Sequence, residues 1–130
     1  MFNLSKEACN TLRFIIVSEN EDKIEEAVLN ILYIFWIRKK EGMKIVKDLQ
    51  QQKNDIGQLR DVDIYIDTNY HINIAIFPRI KCVKGQRAPF IIIDKDIEME
   101  EYDIYDIILP ATEIHNNAKL FTNGKGYILI

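Results

Sequence analysis

The chain has 130 residues, 48% hydrophobic and 28% charged, and a formal net charge of −3. That length suits one domain (1–130) that buries roughly 65–70% of the unfolded chain's surface, and the composition excludes disordered, collagen-like and low-complexity classes. Cys9 and Cys82 stand apart without Cys-x-x-Cys or Cys/His spacing, so both read as reduced thiols, with no disulfide scaffold and no zinc site expected.

Met1 to Asn10 carries Lys6 and Glu7 where a secretory signal would have an apolar run, so a cytoplasmic location is expected. Leu4, Ala8, Leu12, Ile15 and Ile16 fit a helix capped by Ser5, with a strand over Phe14 to Val17 as the competing reading. Ser18-Glu19-Asn20-Glu21 has the form of a capping box, and Ile24, Val28, Ile31, Leu32 and Phe35 then recur at three- and four-residue spacing. The apolar run from Ala27 to Ile37 falls well short of the ~20 residues that span a bilayer, which makes it a core helix and argues against a membrane partner. Gly42, after Arg38, Lys39 and Lys40, is the predicted stop, and a further helix from Met43 to about Gln52 presents Ile45, Val46 and Leu49.

Near Gly57 a helical part (1–56) gives way to a strand-rich part (57–130). Val62, Ile64 and Ile66, then Ile72, Ile74 and Ile76, alternate with their neighbours at period two. All lie at even numbers, so an antiparallel pairing needs positions that sum to an even number, with 138 or 140 favoured. The same parity continues through Ile80 and Cys82, which predicts an edge strand resuming beyond Pro78. Phe90 to Ile93 is a continuous apolar run and the candidate central strand. Between Ile97 and Leu109 helix and strand patterns compete, and Asn123-Gly124 between Leu120-Phe121-Thr122 and Tyr127-Ile128-Leu129 signals a hairpin. The expected fold is α+β: two or three N-terminal helices packed on one face of a mostly antiparallel sheet of about five strands.

Charge is sorted along the chain. Seven acids and one lysine lie between Asp94 and Asp106, while Arg79 to Arg87 holds four bases and no acid. Carboxylates at this density repel one another unless a cation or a basic partner offsets them. Asp96, Glu98, Glu100, Glu101 and Asp103, interleaved with Tyr102 and Tyr105, have the make-up of an interface in which aromatic residues anchor and acids steer. The expected function is a non-enzymatic protein-binding inhibitor, immunity-protein-like or phage anti-defence-like, directed at a basic partner such as a nuclease or another nucleic-acid-handling effector.

Two alternatives stand beside it. Asp61, Asp63, Asp67 and His71 could hold a divalent metal for phosphodiester hydrolysis, although their spacing matches no strong ligand motif. Arg79, Lys81, Lys84 and Arg87 could contact phosphates in a homodimeric nucleic-acid-binding module, although the acidic balance of the domain opposes it. Catalytic motifs are wanting. Asp94-Lys95 lacks the intervening residue of a restriction-like nuclease core, His71 and His115 lack the paired hydroxyls of a two-histidine phosphoesterase, and Gly124-Lys125-Gly126 lacks the Walker spacing. No cofactor is expected.

Overall fold

Two runs of near-identical sequence, Phe14-Ile15-Ile16-Val17 and Phe90-Ile91-Ile92-Ile93, lie side by side in parallel, with Phe14 opposite Phe90 and Val17 opposite Ile93. In the computed structural model, which describes residues 11–35, 37–51, 60–65, 71–112 and 127–130, they belong to β1 (Thr11–Val17) and β4 (Phe90–Ile93). From β1 the chain runs through α1 (Glu21–Ile34) and α2 (Lys39–Gln51) to β2 (Arg60–Tyr65) and β3 (His71–Phe77). A 3-10 turn at Ile80–Val83 leads into β4, a helix over 101–112 (α3) follows, and β5 is Ile128–Leu129. The fold is α+β, built on a five-stranded mixed sheet in the order β2-β3-β1-β4-β5.

Class and strand number match the expectation, whereas strand direction corrects it. β1 is parallel to both β3 and β4, β4 is parallel to β5, and the antiparallel pair is β2 with β3. The N-terminal helices α1 and α2 do pack on one face, as expected, and the opposite face is covered too, by later elements. Phe14, Ile16, Ile72, Ile74, Ile76 and Ile92 pack against Ile24, Val28, Ile31 and Leu32 of α1 and Val46 of α2. On the opposite face Ile15, Val17, Phe77, Ile91 and Ile93 pack against Ile80 and Val83 of the 3-10 turn and Ile107, Ile108 and Ala111 of α3. A strand apolar at every position must be covered on both sides, and parallel neighbours joined by crossovers meet that need.

The first predicted helix is β1 from Thr11 onward, and residues 1–10 lie outside the described residues. β1, not β4, holds the middle of the sheet. The N-cap lies two residues later than expected and no capping box forms: Asn20 is the cap, its Oδ1 accepting from the amides of Asp22 and Lys23. Lys23 at the third helical position has no acceptor to reach back with, and Ser18 is left for another role. Gly42 stands inside α2 instead of ending α1. A Cβ there would lie 2.9 Å from Leu29 Cδ2, so the glycine serves the close approach of α1 and α2.

In the β2–β3 hairpin paired positions sum to 136, with Tyr65 opposite His71, so parity holds but the register lies two below the nearer of the favoured sums. Ile66 and Asp67 lie outside the described residues. β3 ends at Phe77. It lies between β2 and β1, where a proline without an N–H would break a ladder, so the chain turns into 3-10 geometry with Ile80 and Val83 buried and Cys82 exposed. α3 runs through Pro110 by widening ahead of it: Glu101–Asp103 is α-helical, Ile104–Ile108 is π-helical, and the Leu109 N–H donates to the Ile104 carbonyl five residues back. The predicted Asn123-Gly124 hairpin lies outside the described residues, and Ile128–Leu129 pairs in parallel with β4.

Candidate functional site

The acidic segment divides into buried and exposed members. Glu98, Glu100 and Glu101 are exposed, as are Tyr102 at 48% and Tyr105 at 61%. Asp96 is exposed and held by Lys23 Nζ at 3.0 Å. Asp103 does not belong to this surface: it is 6% exposed, and its Oδ2 accepts from the Glu100 amide at 2.9 Å, which ties down the first turn of α3. Its Oδ1 is buried without a hydrogen-bond partner among the described residues. The π segment changes the angular step of α3 between Tyr105 and the buried Ile107 and Ile108, so the helix keeps its tyrosines outward while its apolar residues reach the sheet.

The basic residues Arg79, Lys81, Lys84 and Arg87 are all exposed on the crossover from β3 to β4. This crossover runs beside α3. Ile80 and Val83 share a core with Ile107 and Ile108, and the Ala88 amide donates to the Ala111 carbonyl at 3.1 Å. The basic crossover and α3 therefore occupy one side of the sheet, and no ion pair joins the basic residues to the acids of α3 among the described residues.

The hairpin carboxylates do converge, but around an amide. Asn73 Nδ2 donates to Asp61 Oδ1 at 2.6 Å and to Asp63 Oδ1 at 3.0 Å, which puts nitrogen where a bridging cation would sit. Asn73 Oδ1 accepts from Arg13 Nε at 3.1 Å, and that contact fixes the orientation of the amide. Arg13 also donates to Gln86 Oε1 and to the Arg87 carbonyl, and His71 Nε2 lies 2.7 Å from Asp63 Oδ1 while its ring stacks on Tyr65. The Asn73 hydrogen bond holds the Asp63 carboxyl below its ordinary range against some burial, with His71 adding to the effect. Among the described residues no three His, Cys, Asp or Glu side chains form a metal-holding group.

A third cluster escaped the sequence reading. β1 and β4 are adjacent and parallel, yet their onward connections leave to opposite faces, α1 to one and α3 to the other. That is the position at which α/β sheets open a ligand crevice outside their carboxyl ends. Here it is filled. Ser18 follows β1 and Asp94 follows β4, and Ser18 Oγ donates to Asp94 Oδ2 at 2.8 Å while accepting from the Asn20 amide. Asp94 Oδ1 accepts from Lys23 Nζ at 2.6 Å and from the Asp96 amide at 2.9 Å, and Lys23 reaches the Ile130 carbonyl at 3.3 Å. Asp94 is 4% exposed and Ser18 1%. Burial pushes the Asp94 carboxyl upward, but the bonds from Lys23, the Asp96 amide and Ser18 outweigh it and hold it below its ordinary value. Those with Asp94 and then Asp96 raise Lys23. With both carboxylate oxygens engaged and the hydroxyl shielded, the cluster works as a clamp joining α1, β1, β4 and the end of β5. The sequence signal was the repeated form Phe-Ile-Ile-Val-Ser and Phe-Ile-Ile-Ile-Asp, each an apolar strand ending in one buried polar residue.

Comparison of the chain with protein-family models, with curated proteins and with solved structures gave no match. Among the described residues no helix is long and apolar enough to cross a membrane.

Proposed function

We propose that the protein is a non-enzymatic binding domain whose surface over Glu98, Glu100, Glu101, Tyr102, Tyr105 and Asp106 engages a basic protein partner and blocks it, in the manner of immunity proteins or phage anti-defence inhibitors. The observation that carries this reading is the pair of tyrosine rings, about half exposed or more, standing among four exposed carboxylates that form no ion pair among the described residues. Aromatic rings of this kind supply contact area at low entropic cost, and surrounding charge speeds encounter with an oppositely charged protein. Two further points favour binding over catalysis: the Ser18–Asp94–Lys23 clamp has its hydrogen bonds satisfied internally, and Asn73 occupies the space between Asp61 and Asp63.

The test is inhibition and direct binding against a panel of basic nucleases at low and moderate salt. A complex is expected that weakens about tenfold or more from about 50 to about 300 mM salt, and weakens again in the Glu98→Lys/Glu100→Lys/Glu101→Lys variant. Unchanged binding in that triple variant would sink the proposal.

A further inference from the structure

We infer that the same surface is regulated by self-association: a second copy of the chain covers the acidic stripe of α3 with its own basic crossover, in a two-fold dimer. The inference rests on the proposed binding role of that stripe and identifies what competes for it. Two exposed stripes of opposite sign belong to elements packed together on one layer of the molecule, Arg79, Lys81, Lys84 and Arg87 on the crossover, and Glu98, Glu100, Glu101 and Asp106 on and before α3. They are held in that arrangement by the packing of Ile80 and Val83 on Ile107 and Ile108 and by the Ala88–Ala111 hydrogen bond.

Within one chain both sets of charges are exposed, and no ion pair links them among the described residues. Between two copies the geometry changes. A two-fold axis passing between them brings the basic residues of each copy onto the acidic residues of the other, so that the complementary contact is made twice. Such an isologous contact is self-complementary and closes at the dimer, the commonest form of assembly. Tyr102 and Tyr105 stand in the acidic stripe, where a guanidinium from Arg79 or Arg87 of the other copy can lie against a ring. A basic target must then displace the second copy, so self-association sets a threshold for target binding.

Sedimentation velocity over a concentration series reads this directly. The wild-type chain is expected to dimerise at about 50 mM salt, with the dissociation constant rising about tenfold or more by about 300 mM. Glu98→Lys/Glu100→Lys/Glu101→Lys and Lys81→Glu/Lys84→Glu/Arg87→Glu should each be monomeric, and an equimolar mixture of the two should form a dimer again, because each supplies one complementary contact. A wild-type chain that stays monomeric at low salt, a dimer that survives both reversals, or a mixture that fails to reassociate overturns the inference. A monomeric wild type whose target binding still collapses in the acidic reversal overturns this inference alone and leaves the binding role standing. A chain that dimerises as described but inhibits no basic protein has the opposite meaning.

Discussion

Replacing Asp94 by alanine tests the clamp at the carboxyl end of β1 and β4. The substitution takes the acceptor from the Ser18 hydroxyl, the Lys23 ammonium and the Asp96 amide at once. Removing one member of a buried ion pair costs about 3–5 kcal/mol, and Lys23, 22% exposed and still paired with Asp96, puts this case at or just below the lower end. With about 1 kcal/mol for the lost hydrogen bonds that the Ser18 hydroxyl and the Asp96 amide donate to the carboxylate, the expected destabilisation is about 3–4 kcal/mol. For a chain of this length that corresponds to a fall in Tm of roughly 10–15 °C. Asp96→Ala is the control: an exposed ion pair contributes about 0–1 kcal/mol, so its melt should stay within about 3 °C of wild type. The pH dependence follows from the depressed carboxyl. The unfolded chain takes up the proton near the ordinary value of 3.8 while folded Asp94 resists it, so the stabilisation is complete above that value and is lost as pH falls below it toward the folded value. Thermal melts of wild type and Asp94→Ala should therefore converge in that acid window. Equal melts for the Asp94 and Asp96 variants at neutral pH, or a gap unchanged down the acid limb, would refute the reasoning.

Three further outcomes are expected. Asn73→Ala removes the amide that both Asp61 and Asp63 use, so the Asp63 carboxyl should titrate closer to its ordinary value; carbon-detected NMR that finds it unmoved would contradict the assigned network. Gly42→Ala gains about 1 kcal/mol of helix propensity but pushes on Leu29 Cδ2, the free end of a side chain, so its urea midpoint should stay near wild type, whereas Gly42→Val should lose about 2 kcal/mol through overpacking between α1 and α2. Ile15→Ala opens a cavity at a side chain buried in the central strand and should cost about 2–5 kcal/mol by the same denaturation measurement; a loss below about 1 kcal/mol would place it outside a packed core.

Periodicity identified the residues that leave water better than it identified their neighbours. The even-numbered isoleucines of β2 and β3 do share one face, and the apolar stripe of α1 is buried from Ile24 to Leu32. Strand direction was beyond reach, because Phe90 to Ile93 reads the same in a parallel or an antiparallel ladder, and the partner that decides it lies some 76 positions away by register. Thr11 to Val17 misled for a related reason: a strand covered on both faces has no alternation, so Leu12, Ile15 and Ile16 also satisfy a helical stripe. At the candidate surface, the exposed Glu98, Glu100, Glu101, Tyr102 and Tyr105 were legible as a run, but Asp103 was not separable from them until α3 turned it inward. The local pattern makes Ser18 a cap, but its hydroxyl is taken by Asp94 at the end of the neighbouring strand.

The central position of β1 sets the order in which the molecule can assemble. Its partners in the sheet are β3 and β4, whose residues lie about 60 and 76 positions further along the chain. At ribosomal speeds of about 5–20 residues per second, the Phe14-Ile15-Ile16-Val17 run spends roughly 3–12 s without a strand to pair with. Helices α1 and α2 can form during that wait and cover one of its faces, but both backbone edges stay open until β3 arrives. The chain's vulnerability to misassembly is thus concentrated in its earliest described segment, and loop-closure entropy makes its folding slow relative to its size.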